Sequence, residues 1–184
     1  MIEMIERKLN QEDHWSIVCA IVDGLRRNGS WTGHTHIQKA IYLAQNLAGI
    51  PLDFKFKLYK HGPFSFDLQD EVASLRSGRV LNASPHEPYG LRFEVEDAYC
   101  SGAEEDYRDR IEFVTKALGN KKVVALEALS TALLVTLEKD AADPNARLQR
   151  LMELKPHLKG DLAEQALHDI DDLRTQAKSL FALV

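Results

Sequence analysis

The chain has 184 residues, of which 45% are hydrophobic and 28% charged, a balance that excludes disordered and fibrous classes. At this length a core forms without disulfide or metal staples, and a formal net charge of −5 argues against a protein that coats nucleic acid non-specifically. The most apolar run, Val123 to Val135, is interrupted by Glu127, Ser130 and Thr131, and is too short and too polar to span a membrane.

Residues Met1 to Asp13 are mixed and acidic, without the apolar core of a secretory leader, so the cytoplasm is the expected location. Trp15, Val18, Cys19, Val22 and Leu25 then follow the 3,4 spacing of an amphipathic helix that Asn28-Gly29 ends. The two cysteines, Cys19 and Cys100, are far apart, so neither a disulfide framework nor a cysteine zinc site is expected. A second helix is expected to open with a capping box, Thr35-His36-Ile37-Gln38, in which Thr35 and Gln38 satisfy each other's backbone amides. Its apolar stripe is Ile37, Ala40, Ile41, Ala44 and Leu47, and Gly49-Ile50-Pro51 stops it.

Alternation of Phe54, Phe56 and Leu58 with Lys55, Lys57 and Tyr59 predicts a short half-buried strand over Asp53 to Tyr59, broken by His61-Gly62-Pro63. Ser65 is the expected N-cap of a third helix. Asp67 lies in its first turn, Leu68, Val72 and Leu75 face inward, and Gly78 follows its end. Val80 to Ala83 predicts a strand, Ser84 to Gly90 a loop, and Leu91, Phe93 and Val95 a second strand. Three helices followed by a two-stranded hairpin is the order of a winged helix-turn-helix, here with an extra strand before the third helix.

The remainder is expected to be helical. Tyr107, Ile111, Val114 and Leu118 form one stripe, closed by Gly119-Asn120. Val123, Leu126, Leu129, Leu133 and Leu137 form the most apolar helix, expected at the centre of the core. Asp143-Pro144 starts another helix with proline at its first position, and Leu162 to Leu180 forms a last long one. The fold class is therefore mainly α (α+β). A winged-helix-like unit with a small β-hairpin is expected over residues 1–100, and a helical unit over residues 101–184 packs against it as one body.

Charge is unevenly distributed along this order. Arg26 to His61 holds six Lys/Arg against one acid, whereas Gly62 to Glu112 holds five against twelve. Lys39 sits beside the apolar stripe of its helix, where its stem is buried and its ammonium is expected to pair with Asp67, Asp70 or Glu71. Such a pair would lock the basic segment to the acidic one.

Two stretches carry a family resemblance: Gly33-His34-Thr35-His36-Ile37-Gln38-Lys39-Ala40-Ile41-Tyr42-Leu43, and Phe56-Lys57-Leu58-Tyr59-Lys60-His61-Gly62-Pro63-Phe64-Ser65. A helix opening with an Ile-Gln-Lys core, followed by a Gly-Pro turn that leads into an acidic helix, resembles the uncharacterised YwgA-like family. It resembles more remotely the Panacea or SocA-type antitoxin domains, over roughly residues 30–80. Leu154-Lys155-Pro156-His157 is similar to the later part of the YwgA-like pattern. The resemblance implies a mainly helical, winged-helix-related bacterial or phage protein that binds another protein, a toxin in the antitoxin relatives. It brings no catalytic residues.

His34, His36 and His61 lack accompanying acids or cysteines at ligand spacing, and His34 and His36 do not share a helix face, so no metal is expected. His61, Ser65 and Asp67 have the residue types of a nucleophilic triad without a nucleophile elbow or oxyanion donors. No phosphate loop or dinucleotide fingerprint is present, and neither an enzyme nor a cofactor is expected. The expected partner-binding patch surrounds Gly62-Pro63: Lys39, Tyr59, His61, Asp67, Asp70 and Glu71. The alternative is a winged-helix DNA-binding transcriptional regulator using Arg26, Arg27, Lys55, Lys57 and Lys60. Its weakness is the third helix, where Asp67, Asp70 and Glu71 outnumber Arg76 and repel phosphates. Leu180, Phe181, Leu183 and Val184 are a second contact surface or pack on their own domain, and homodimerisation stays open.

Overall fold

Asn10 and Asp13 set the first boundary: Asn10 Oδ1 accepts from the Asp13 amide at 2.9 Å, and Asp13 Oδ2 accepts from the Asn10 amide at 3.0 Å. In the computed structural model, which describes residues 9–88, 90–96, 102–138 and 143–183, this box opens α1 (Gln11–Arg27). The order continues as α2 (His34–Asn46), β1 (Lys57–Tyr59), β2 (Gly62–Phe64), α3 (Phe66–Ser77), β3 (Leu81–His86) and β4 (Gly90–Val95). After a 3₁₀ turn over Ala103–Tyr107 come α4 (Arg108–Leu118), α5 (Val123–Leu137), α6 (Pro144–Leu154) and α7 (Gly160–Phe181). The molecule is thus mainly helical, with two small antiparallel hairpins. Met1 to Lys8, Tyr89, Cys100 and Val184 lie outside the described residues.

The helical stripes fall where periodicity puts them. Leu68, Val72 and Leu75 of α3 are buried, and the Ser65 hydroxyl caps that helix by accepting from the Leu68 amide at 3.2 Å. Asp143 caps α6, with Pro144 at its first position. α5 is buried on nearly every side because α2, α6, α7 and β2 all pack on it, while α4 packs on α1 and α2. Arg147 of α6 forms a bidentate pair with Asp171 of α7, at 2.8 and 2.6 Å. Arg110 of α4 donates to the carbonyls of Ala48 and Gly49 and lies 5.2 Å over the Phe181 ring. The end of α7 is thereby drawn to the segment after α2. Phe181 also meets Phe113 edge-on, whereas Leu180 is exposed.

Three local expectations are corrected. The Thr35–Gln38 capping box does not form: Gly33 is the N-cap, and Gln38 is drawn instead to the chain before α3. The strand expected over Asp53 to Tyr59 shrinks to β1, because the Gln45 side chain takes both the amide (2.9 Å) and the carbonyl (3.1 Å) of Phe54 and removes them from any ladder. The Gly62-Pro63 break is itself strand β2, paired Lys57↔Phe64, Leu58↔Pro63 and Tyr59↔Gly62. In the second hairpin, β3 extends through Ser84, Pro85 and His86 into the expected loop, with Pro85 opposite Leu91. Proline is tolerated because a two-stranded sheet consists only of edge strands. Thr32, between α1 and α2, ties this hairpin down: its carbonyl accepts from the Phe93 amide, and its hydroxyl donates to the Phe93 carbonyl at 2.7 Å.

Candidate functional site

The first hairpin is held from beneath by side chains that grip its main chain. Pro63 has no N–H, so Leu58↔Pro63 must be the non-hydrogen-bonded kind of antiparallel pair, and the Pro63 carbonyl points away from β1. Lys39 supplies the missing donor, its Nζ lying 2.6 Å from Pro63 O. Next to it on α2, Gln38 meets Ser65 twice, accepting from its amide and donating to its carbonyl, both at 2.9 Å. From the other side Lys155, at the end of α6, donates to the carbonyls of Tyr59 (3.1 Å) and Lys60 (2.7 Å). Its Nζ also lies 2.8 Å from Glu127 Oε1, so this buried ammonium holds two main-chain carbonyls and faces a buried carboxylate.

Glu127, on α5, is the centre of the cluster. It is 3% exposed and faces Lys155 together with His61 (3.6 Å) and His157 (3.4 Å), two half-exposed rings. Burial alone would raise its carboxyl pKa, but the Lys155 hydrogen bond and charge, with the two histidines, hold it below the ordinary value. Two buried lysines share this one buried carboxylate, and Lys39 bears the deficit. It is 1% exposed, and desolvation pushes its pKa down to about 8; Glu127 counteracts this and Lys155 adds to it. Gly62 fits here because its φ is +86° and because a Cβ would lie 3.0 Å from Thr131 Oγ1 and 3.1 Å from Ser130 Oγ. Those two hydroxyls donate to the Glu127 carbonyl, at 2.7 and 3.2 Å.

The expected lock between Lys39 and the acidic helix is therefore overturned. Asp67 and Asp70 stand exposed on α3, and Glu71 accepts from Gln11 of α1 at 3.1 Å. Burial raises the Glu71 pKa, with the Gln11 bond opposing it. A carbonyl suits Lys39 because Pro63 leaves one unpaired in reach, whereas an acid of α3 would have to leave solvent. The triad types do not converge either: Ser65 is fully buried as a cap, His61 turns to Glu127, and Asp67 faces water.

Above the clamp the surface is aromatic. Tyr59, Phe64 and Phe66 pack with ring centroids 5.1 to 5.9 Å apart, yet Tyr59 is 58% and Phe66 55% exposed. Leu58 is also exposed beside them. Contiguous exposed aromatics of this kind mark contact sites more often than isolated ones do. Between this cluster and the start of α2 lies a cavity of about 140 Å³, bordered by Lys60 and His61.

The candidate nucleic-acid residues separate into two groups. Lys55, Lys57 and Lys60 are exposed on or next to the hairpin. Arg26 and Arg27 instead pair with Asp23 at the end of α1, at 3.4 and 2.7 Å, and Arg27 borders a larger cleft of about 720 Å³ against α4. The histidines also diverge: His34 packs edge-on against Phe93, while His36 is buried, with its pKa lowered by desolvation. Among the described residues no group of three or more His, Cys, Asp or Glu is arranged to hold a metal ion, and no helix is long and apolar enough to cross a membrane.

Glu127, Lys155 and His157 were not singled out as site residues by sequence reasoning. Their one signal was Glu127 itself, a lone carboxylate in the most apolar helix, which demands a buried counter-charge. The clamp brings together residues far apart in the chain: Lys39 of α2, the Gly62-Pro63 segment, and Lys155 with His157 after α6. Compared with known proteins, the chain matches no protein-family model and no curated protein.

Proposed function

We propose that this chain is a non-catalytic accessory or regulatory protein, antitoxin-like in mode, that binds another protein through the face of its first hairpin. The observation that carries this reading is the exposed Tyr59–Phe64–Phe66 cluster on a hairpin whose main chain is held by Gln38, Lys39 and Lys155. Aromatic side chains held in place before binding lose little freedom on association, and so favour recognition. Tyr59, His61, Asp67 and Asp70 belong to this face, with Lys39 beneath it and Glu71 turned toward α1. The order α1, α2, α3 and the β3–β4 hairpin supports a winged-helix-like reading of the scaffold, and the resemblance to YwgA-like and Panacea-type proteins supports an origin in a bacterial or phage system.

DNA regulation is the second reading, carried by the exposed Lys55, Lys57 and Lys60. The exposed Asp67 and Asp70 weigh against it, since α3 is the helix a winged-helix reader would place in the major groove. The test is affinity capture from host lysate, with and without nuclease, using wild type and a Tyr59→Ser/Phe66→Ser variant whose melting curve confirms folding. A stoichiometric, nuclease-resistant protein lost in the variant is the expected result. Nucleic acid recovered without such a protein, and weakening as salt rises, overturns it.

A further inference from the structure

The cavity beside the aromatic cluster has a definite shape. One wall is the start of α2, with His34, Thr35 and Lys39; the other is the hairpin, with Tyr59, Gly62 and Phe64. At about 140 Å³ it compares with a space of roughly 150 Å³ that holds a benzene ring. One large apolar side chain fills it. Its surroundings are cationic: Lys60 and His61 border it, Lys57 lies on β1, Lys55 lies just before β1, and no Asp or Glu is among the described residues that line it. Among the described residues, none of the three lysines is engaged in an ion pair.

We infer that this cavity is the anchor pocket for an acidic peptide segment of a partner protein, one large apolar side chain entering between α2 and the hairpin while neighbouring Asp or Glu residues meet Lys55, Lys57 and Lys60. The inference rests on the protein-binding reading above and specifies the partner's chemistry. Desolvating an apolar anchor supplies affinity, and the unpaired lysines select sign and register. A phosphate backbone fits less well, because a continuous polyanion crossing the aromatic cluster meets Asp67 and Asp70 at the start of α3. A peptide can confine its acids to the lysine side of the anchor.

The test is selection of a random-peptide display library on the intact protein, followed by fluorescence anisotropy with the enriched peptide. Enriched sequences are expected to carry one Phe, Leu, Met or Trp beside Asp and Glu. Replacing that anchor by Ala, or using the Lys57→Glu/Lys60→Glu protein, is expected to weaken binding at least about tenfold. Melting curves of the variant show whether the exposed substitutions leave the fold intact. Enrichment of basic peptides, absence of enrichment, binding indifferent to the lysine reversals, or tighter binding of labelled duplex DNA than of peptide each overturns the inference. If the captured protein partner still depends on Tyr59 and Phe66 while this selection fails, the inference falls and the protein-binding reading stands. Loss of both removes both.

Discussion

Lys39 makes the stability of this fold depend on alkaline pH in a calculable way. Its ammonium is buried with one carbonyl acceptor, and its pKa falls from 10.5 to about 8 through desolvation. Below pH 8 the lysine is charged in both folded and unfolded chains, and the folded chain carries the full cost of burying the charge. Between about pH 8 and 10.5 the folded chain has released this proton and the unfolded chain has not, so the unfolded state binds more protons and stability rises with pH. At about 1.4 kcal/mol per pH unit, the window is worth about 3 kcal/mol. The assay is urea unfolding of wild type and Lys39→Met at intervals from about pH 7 to about pH 11. Groups that do not interact with Lys39, including Tyr42, whose hydroxyl pKa burial pushes far up, titrate in both proteins and cancel in the difference, leaving the coupled set of Lys39, Glu127 and Lys155. Lys39→Met removes the buried charge and also leaves Pro63 O without its donor, which adds a constant offset. The wild type is expected to gain on the variant by about 3 kcal/mol across the window. Parallel pH profiles would refute the reasoning, since they would mean that the amine is as well solvated in the folded chain as in the unfolded one.

Two further substitutions probe the same clamp. Gln38→Ala leaves the buried Ser65 amide without its partner, while the Ser65 carbonyl keeps the Gln69 amide, and is expected to cost about 1–3 kcal/mol in urea unfolding; a loss below about 0.5 kcal/mol contradicts the pairing. Gly62→Ala places a Cβ against Thr131 and Ser130 at a φ of +86° and is expected to cost about 1–3 kcal/mol, measured by calorimetry, with an unchanged melting temperature arguing against the close approach.

Local pattern carried the helices well, because each buries one stripe and is bounded by caps that act within a few residues: Ser65 for α3, Asp143 with Pro144 for α6, and Asn28-Gly29 after α1. It failed where a side chain finds its partner far along the chain. Thr35 and Gln38 have the right spacing for a capping box, yet Gln38 satisfies two buried groups of Ser65, a larger gain than capping an amide near solvent. Likewise the place of Lys39 beside an apolar stripe makes its ammonium buried, but opposite charge points to an acid of α3, whereas a proline leaves a carbonyl in its reach. The Glu127–Lys155 pair, with His61 and His157, is invisible to spacing because its members come from α5, the end of α6 and two loops. The Ser84 to His86 stretch was hidden by its turn-forming composition, which an edge strand tolerates.

Apart from the His61 ring, which faces Glu127, the clamp grips backbone atoms of the hairpin segment: Lys155 takes the carbonyls of Tyr59 and Lys60, Lys39 that of Pro63, and Gln38 the amide and carbonyl of Ser65. Every one of those groups is present whatever residue occupies the position, apart from the demand for glycine at 62 and the fit of proline at 63. The outward side chains at 57 to 60 are thus uncoupled from the means by which the loop is anchored. A lineage, or a designer, can rewrite them without dismantling their support. Diversity in what the face recognises then carries little penalty in foldability, as in scaffolds whose loops are randomised to obtain new binders.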